Sequence, residues 1–207
     1  TSTAYPFVKA GARIVWADID MFTRVVTADT VTRCISNKTR AIVIPHLYGY
    51  GADMLAIMTL AEAYGLLVVE DAAQALGVII EGRMAGSFGN FGVYSFHSHK
   101  NVTTLGEGGM LVIQDPNMAK VVPMLRHNGH CSYAYERPDY WIPAMGNLDL
   151  PELNGETLWP MNCCLGEVEC AIGVKLLERA DQVNKEKRNR ALRMIDTLID
   201  YPELTFH

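Results

Sequence analysis

The sequence predicts an α/β fold built on a largely parallel sheet, and three observations predict it. Strand-like and helix-like segments alternate in close succession, twice over, which is the pattern of right-handed crossovers between parallel neighbours. The run Leu66-Leu67-Val68-Val69 is apolar without alternation, as a strand covered on both faces requires. Polar residues gather just beyond the carboxyl ends of such runs, at His46, Tyr48, Asp71 and Gln74, where ligands sit in sheets of this kind.

Taken in order, Thr1 to Tyr5 reads like the middle of a helix, and Gly11 is a plausible helix C-cap. Arg13 to Asp18 follows as a buried strand. A helical stretch runs from about Ala28 to Ile35, then a strand Ala41 to Pro45. Asp53 is placed to cap a helix with apolar positions Leu55, Met58, Leu60, Ala61 and Tyr64, and Gly65 ends it. Leu66 to Val69 is the next strand. Two more, Phe91 to Phe96 and Gly109 to Ile113, bracket Lys100, with the glycine-rich loop Thr103 to Gly109 between them. Asp115 caps a helix to about Leu125. After Gly129 the composition shifts to a long loop punctuated by Pro138, Pro143, Pro151 and Pro160, of a length that points to function. Helices from about Leu165 to Leu177 and from about Asp181 to Ile199 close the chain.

Composition excludes several classes. With 207 residues, 49% hydrophobic and 20% charged, the chain has an ordinary globular make-up, and its formal charge of −5 argues against a nucleic-acid binder. No apolar run has the length needed to cross a bilayer. The five cysteines, Cys34, Cys131, Cys163, Cys164 and Cys170, follow neither zinc-finger nor secreted-framework spacing, so a reducing, cytoplasmic setting is expected. The start carries no signal peptide. The end, Tyr201 to His207, stops as a new strand begins, so a fragment cut at both ends is expected.

The chemistry centres on Lys100, which follows the strand ending Ser95-Phe96-His97-Ser98-His99, with Glu70-Asp71 at the tip of another strand. An amine and a carboxylate so placed suggest a pyridoxal 5′-phosphate (PLP) site, the lysine holding the cofactor as a Schiff base and the acid keeping the pyridine nitrogen protonated. The plain alternatives are a solvated lysine and an aspartate that caps a helix. Glu70 and Asp71 point to opposite faces of their strand, so only one of them can face a pocket. His97 and His99 share a face with each other and not with Lys100. They fall short of a zinc set, so no metal is expected. Neither glycine cluster, Gly82 to Gly92 or Gly106 to Gly109, has the spacing of a dinucleotide or P-loop fingerprint.

Four blocks, VVEDAAQALG, GRMAGSFGNFGVYSFHSHKN, TLGEGGMLV and MNCCLGEVECAIG, resemble in order the blocks of the DegT/StrS-type aminotransferases, PLP enzymes of nucleotide-sugar and antibiotic-sugar biosynthesis. The resemblance implies a three-layer α/β/α PLP-transferase large domain with a mostly parallel mixed sheet over residues 1–178. Residues 179–207 would be a connecting helix and the start of a truncated small C-terminal domain. It implies that Lys100 binds the cofactor and shuttles the proton, that Asp71 binds the pyridine nitrogen, and that Gln74 reaches toward the ring hydroxyl or stacks nearby. Ser95 would bind the cofactor phosphate. Asn162 would reach across a homodimer to the partner's phosphate, and it could cap the following helix instead or as well. The family's arginine two residues on is replaced by Cys164, and Glu167 is the acid of that block. His97 is a familiar variant at its position, and the loop Arg126 to His130 would approach substrate.

The implied reaction converts a keto group of a nucleotide-linked sugar to an amine, with glutamate as donor, in a cytoplasmic homodimer with shared sites. Residues 1–207 alone are expected to hold PLP weakly and to be inactive, because the family's phosphate loop and ring-covering aromatic would precede Thr1. Two alternatives stay open. One is a sugar dehydratase on the same fold, against which Lys100 argues because those relatives carry histidine there. The other is a PLP-bound sensor without turnover.

Overall fold

A computed structural model of the chain describes residues 2–128, 148–150, 156–158 and 160–206. The helices are α1 (Tyr5–Lys9), α2 (Ala28–Thr32), α3 (Met54–Tyr64), α4 (Pro116–Arg126), α5 (Glu167–Leu177) and α6 (Ala180–Leu198). The strands are β1 (Ala41–Pro45), β2 (Leu67–Asp71), β3 (Ile79–Ile80), β4 (Arg83–Met84), β5 (Phe91–Ser95), β6 (Gly109–Ile113), β7 (Leu148–Leu150) and β8 (Glu156–Leu158). Two compact units divide the chain: Thr1–Val112 with Val168–His207, and Ile113–Glu167.

The first unit is organised by a four-stranded sheet in the order β1-β2-β5-β6. β1 pairs with β2 and β2 with β5 in parallel, in the register Pro45 to Asp71 to Val93. At the end of β5 the Phe96 N–H bonds the Gly108 carbonyl and the Ser98 N–H bonds Gly106. Partners that rise along one segment and fall along the other belong to an antiparallel return. The sheet is therefore mixed and mostly parallel.

Local chemistry sets the element ends. Asp53 accepts the Ala56 N–H at 3.0 Å and starts α3, and Gly65 ends it in the left-handed conformation at φ 62°. Asp115 accepts from Asn117 and Met118 and starts α4. Thr27 and Thr30 bond reciprocally at the start of α2.

Burial alternates along the strands. Ile42, Ile44, Val68, Glu70, Gly92 and Tyr94 lie on one face. Val31 of α2 and Met54, Ile57 and Ala61 of α3 pack against its β1–β2 side. Leu176, Leu177 and Ala180, at the junction of α5 and α6, pack against Ala72, Tyr94, Phe96 and Val102. The unbroken apolar run predicted cover on both faces. Among the described residues the cover is one-sided, with Leu67 and Val93 exposed on the other face.

Two further expectations differ. Arg13 to Asp18 forms no strand, and Val15 and Trp16 are exposed: apolar composition makes a strand only where the backbone joins a ladder, and this segment joins none although β1 keeps an open edge. The long proline-punctuated stretch contains the ribbon of β7 and β8, paired antiparallel. Gly129, His130, Cys131, Pro138, Pro143 and Pro151 lie outside the described residues.

Gly92 shows how closely the sheet is approached. A Cβ built on it would lie 1.8 Å from the Gly86 carbonyl oxygen, a backbone atom with no rotamer by which to move away. Gly92→Ala is expected to cost about 1–3 kcal/mol or more, read as a lowered urea midpoint with an unchanged slope. An unchanged midpoint would contradict the close approach.

Candidate active site

The carboxyl ends of β2 and β5 build the site. Residues paired in register on parallel strands face the same way, so Asp71, paired with Val93, shares a face with Ser95 two positions on. Glu70 faces oppositely and is consumed there. It is fully buried and accepts His46 Nε2 at 3.0 Å and the backbone N–H groups of Gly86, Phe88 and Gly89 at 2.6–2.7 Å. His46 Nδ1 accepts the Ala52 N–H at 3.3 Å, so the ring proton sits on Nε2 and is donated to Glu70. Burial pushes the Glu70 carboxyl up, but His46 and the three N–H donors outweigh it and hold the group below its ordinary value.

Asp71 is half-buried, and its Oδ2 accepts the Thr3 hydroxyl at 2.6 Å. Its Oδ1 accepts the Ala73 N–H at 3.1 Å, closing a turn, so no helix follows for it to cap. Two of the carboxylate's roughly four acceptor positions are taken by these bonds. The Asp71 backbone is fixed as well, since its carbonyl accepts the His46 N–H at 3.1 Å. Gln74 is exposed, and its Oε1 accepts the Tyr48 N–H at 2.7 Å, which leaves the amide NH2 to donate elsewhere. That bond holds Tyr48 in a left-handed conformation at φ 56°.

Ser95 Oγ accepts the His97 N–H at 3.3 Å, which leaves its own hydrogen to donate. The chain then turns, with the Lys100 N–H bonding the His97 carbonyl at 2.9 Å. Lys100 is half-buried, and its amine has no hydrogen bond or ion pair among the described residues. The His97 and His99 rings meet edge to face at 4.9 Å, and His97 Nε2 lies 3.6 Å from Glu107. Among the described residues no group of three or more His, Cys, Asp or Glu side chains is placed to hold a metal ion.

Thr103 Oγ1, in the loop beyond Lys100, is buried without a hydrogen-bond partner among the described residues. Leu105 and Gly106, the latter at φ 151°, bend that loop back toward β6. A hollow of about 450 Å³ lined by Ile35, Arg40, Tyr64 and Leu66 lies at the amino ends of β1 and β2, the end away from Asp71 and Ser95.

Asn162 belongs to the second unit, where it bridges His127, and its neighbours Met161 and Cys163 bond the backbone of Leu125 and Arg126. α5 begins at Glu167, so Asn162 does not cap it. Sequence reasoning placed His46 on the rim, whereas its side chain is buried against Glu70. It missed Thr3 and Thr103. Nothing in the spacing signals the Thr3 contact, which joins residues 68 apart, and only position in the glycine-rich loop distinguishes Thr103.

An amine without a partner among the described residues suits an aldehyde, a carboxylate with acceptor positions left suits a protonated ring nitrogen, and a hydroxyl with its hydrogen to donate suits an anionic tail. Comparison with known proteins gives the family. The sequence profile of the DegT/DnrJ/EryC1/StrS aminotransferase family matches residues 1–207. L-glutamine:2-deoxy-scyllo-inosose aminotransferase of Streptomyces kanamyceticus is 35% identical over 96% of this chain and 44% of its own length. A UDP-N-acetyl-3-dehydro-alpha-D-glucosamine 3-aminotransferase of Acidithiobacillus ferrooxidans is 41% identical over 62% of this chain and 35% of its own. The solved aminotransferase of Psychrobacter cryohalolentis superimposes with a TM-score of 0.83 at 30% identity, over 97% of this chain and 49% of that one. The chain thus spans half or less of the length of each of these relatives.

Proposed function

Since the chain belongs to the DegT/DnrJ/EryC1/StrS aminotransferase family, we propose that the protein transfers an amino group from an amino acid to the keto group of a sugar. PLP, the cofactor of the family, supplies an electron sink for that transfer. The observation that carries the reading is the donor set at the strand ends. The Lys100 amine has no partner among the described residues, and Asp71 and Ser95 share a sheet face at the carboxyl ends of neighbouring strands.

Each residue fits one part of the cofactor. Lys100 Nζ would hold the aldehyde, and the Asp71 carboxylate, with acceptor positions left beside Thr3 and Ala73, would take the ring N–H. A carboxylate in hydrogen-bond reach of that ring nitrogen favours its protonated form. Ser95 Oγ and the buried Thr103 Oγ1 have hydrogens to give to phosphate oxygens. The Gln74 NH2, its carbonyl fixed by Tyr48, would be left to donate to the ring hydroxyl. Lys100 Nζ would take the proton from the donor's α-carbon and return one to the sugar carbon.

Glutamate as donor, a nucleotide-linked sugar as acceptor and a cytoplasmic location complete the proposal. The Acidithiobacillus relative, by its name, acts on a UDP-linked keto-sugar. Among the described residues no helix is long and apolar enough to cross a membrane. A homodimer with Asn162 donated to the partner's site is supported by the exposure of Asn162 and by the exposed apolar side chains Trp16, Met21 and Phe22.

The test uses the complete protein loaded with PLP. Its visible absorbance is expected to bleach on adding glutamate and to return on adding a keto-sugar nucleotide, with 2-oxoglutarate released in step. Colour without any response would instead favour a sensor. In the same assay Asp71→Asn is expected to lower kcat on the order of 100-fold or more, because a neutral amide cannot hold the ring nitrogen protonated. A kcat within about twofold of the parent would remove Asp71 from that role.

A further inference from the structure

Asn101 follows Lys100 directly, and its side chain is one link in a run of hydrogen bonds that crosses three segments. Lys187 Nζ of α6 donates to Asn101 Oδ1. Asn101 Nδ2 donates to Asn184 Oδ1 at 3.0 Å, and Asn184 Nδ2 donates to the Leu76 carbonyl at 3.0 Å. Leu76 belongs to the loop that leaves β2 through Asp71 and Gln74. One helix residue is thus bonded to both the loop that carries Lys100 and the loop that carries the acid.

The site is shaped for that amide. Gly77 has φ 87°, and a Cβ built on it would lie 2.7 Å from Asn184 Nδ2, so a side chain there would push the amide off Leu76. Asn184 and Lys187 are three residues apart and share one side of α6. The start of the helix is itself fixed, because Ala180 packs with Leu176 and Leu177 against the cluster of Ala72, Ala75, Tyr94, Phe96 and Val102. The anchor therefore stands on the buried core and not on a free helix end.

We propose that Asn184 is a positioning residue that sets the separation between the Lys100 loop and the Asp71–Gln74 loop. The proposal rests on the PLP reading above, in which amine and carboxylate must address opposite ends of one rigid ring. Under that demand a displacement of about 1 Å in either loop is costly. Both of the Asn184 bonds are needed. Its carbonyl holds the lysine side and its NH2 the acid side, so Asn184→Asp keeps the acceptor for Asn101 while removing the donor to Leu76. Lys187 holds only the Asn101 end.

The experiment compares Asn184→Asp and Asn184→Leu with the parent in the complete protein. Gln182→Ala, which removes only an exposed bond to Glu186 on the same helix, serves as control. In the cofactor-free proteins, amide exchange in residues 72–77 and 98–104 is expected to accelerate together, by about tenfold, in both Asn184 variants and in neither segment of the control. With PLP bound, the pH midpoint of the visible band is expected to move by about half a unit. kcat should fall on the order of 10- to 100-fold, with KM for the amino donor within about twofold.

Faster exchange confined to α6, with the pH midpoint and kcat unmoved, would make Asn184 a helix anchor only and overturn the proposal. Should Asn184→Leu fail to fold, the isosteric Asn184→Asp variant still decides it. A parent protein that neither takes up PLP nor bleaches with glutamate overturns the cofactor reading and this one with it. That outcome is recognisable because it is seen in the parent before any variant is made.

Discussion

Lys100→Ala is expected to reduce amino transfer by on the order of 10²- to 10⁴-fold, the range that a positioned acid–base group supplies. The fold should be unaffected. The lysine is half-buried and its amine bonds to nothing among the described residues, and such a replacement shifts stability by no more than about 0.5 kcal/mol. The rate of 2-oxoglutarate release and the urea midpoint, measured on one preparation, separate the two effects. Lys100→Arg sharpens the result. It keeps the positive charge, but a guanidinium cannot shed its proton near neutral pH. If charge alone mattered, arginine would restore activity, whereas a proton-carrying amine predicts loss in both variants. Activity within tenfold of the parent in either variant would sink the assignment of Lys100.

Glu70 is expected to dominate stability as Lys100 dominates activity. Glu70→Leu would strand the N–H groups of Gly86, Phe88 and Gly89 and the Nε2–H of His46 in a buried site. At about 1–3 kcal/mol for each unsatisfied buried group, the four together cost about 4–12 kcal/mol, comparable to the roughly 5–15 kcal/mol stability of a typical domain. The variant should be insoluble or unfolded at 25 °C.

Glu70→Gln gives the milder, measurable case, and its pH dependence has a fixed sign. The folded carboxyl is held below its ordinary value of 4.5 by His46 and the three N–H donors, against the opposing effect of burial. The stabilisation from this charge is therefore fully present above about pH 4.5 and is lost as the pH falls through the folded value. Urea midpoints of parent and Glu70→Gln should differ most near neutral pH, and the gap should narrow on acidification. A gap that stays constant, or widens toward acid, would contradict the depressed carboxyl.

Glu70 and Asp71 also show where sequence reasoning stops. Their alternation on a strand told that only one could face a pocket. Which of them does so depends on the Gly86 to Gly89 backbone. That turn passes beneath β2 because Gly89 and Gly92 lack a Cβ, and it presents three N–H groups to one side alone. Most element positions were legible for local reasons. Asp53 and Asp115 cap helices through their own side chains, and Gly65 ends α3 by a conformation that it adopts freely. Arg13 to Asp18 reads as a strand but forms none, because a strand is made by ladder pairing with a neighbour and no local pattern reports whether the pairing occurs.

At the site the division is similar. The order of the blocks around Lys100, Asp71, Ser95 and Asn162 placed the chain in its family from sequence alone, because residue types at fixed spacing travel with the chemistry they serve. Tertiary structure decided which of those residues keep an unused donor or acceptor. It put Thr3 on the Asp71 carboxylate, withdrew His46 to the core and joined the Lys100 loop to the acid's loop through Asn184. These pairings join residues from 24 to 108 positions apart. Sequence determines which groups are available and on which face of their own element they stand. Distances between elements are fixed only when buried polar groups must all find partners at once, and that condition belongs to the folded chain as a whole.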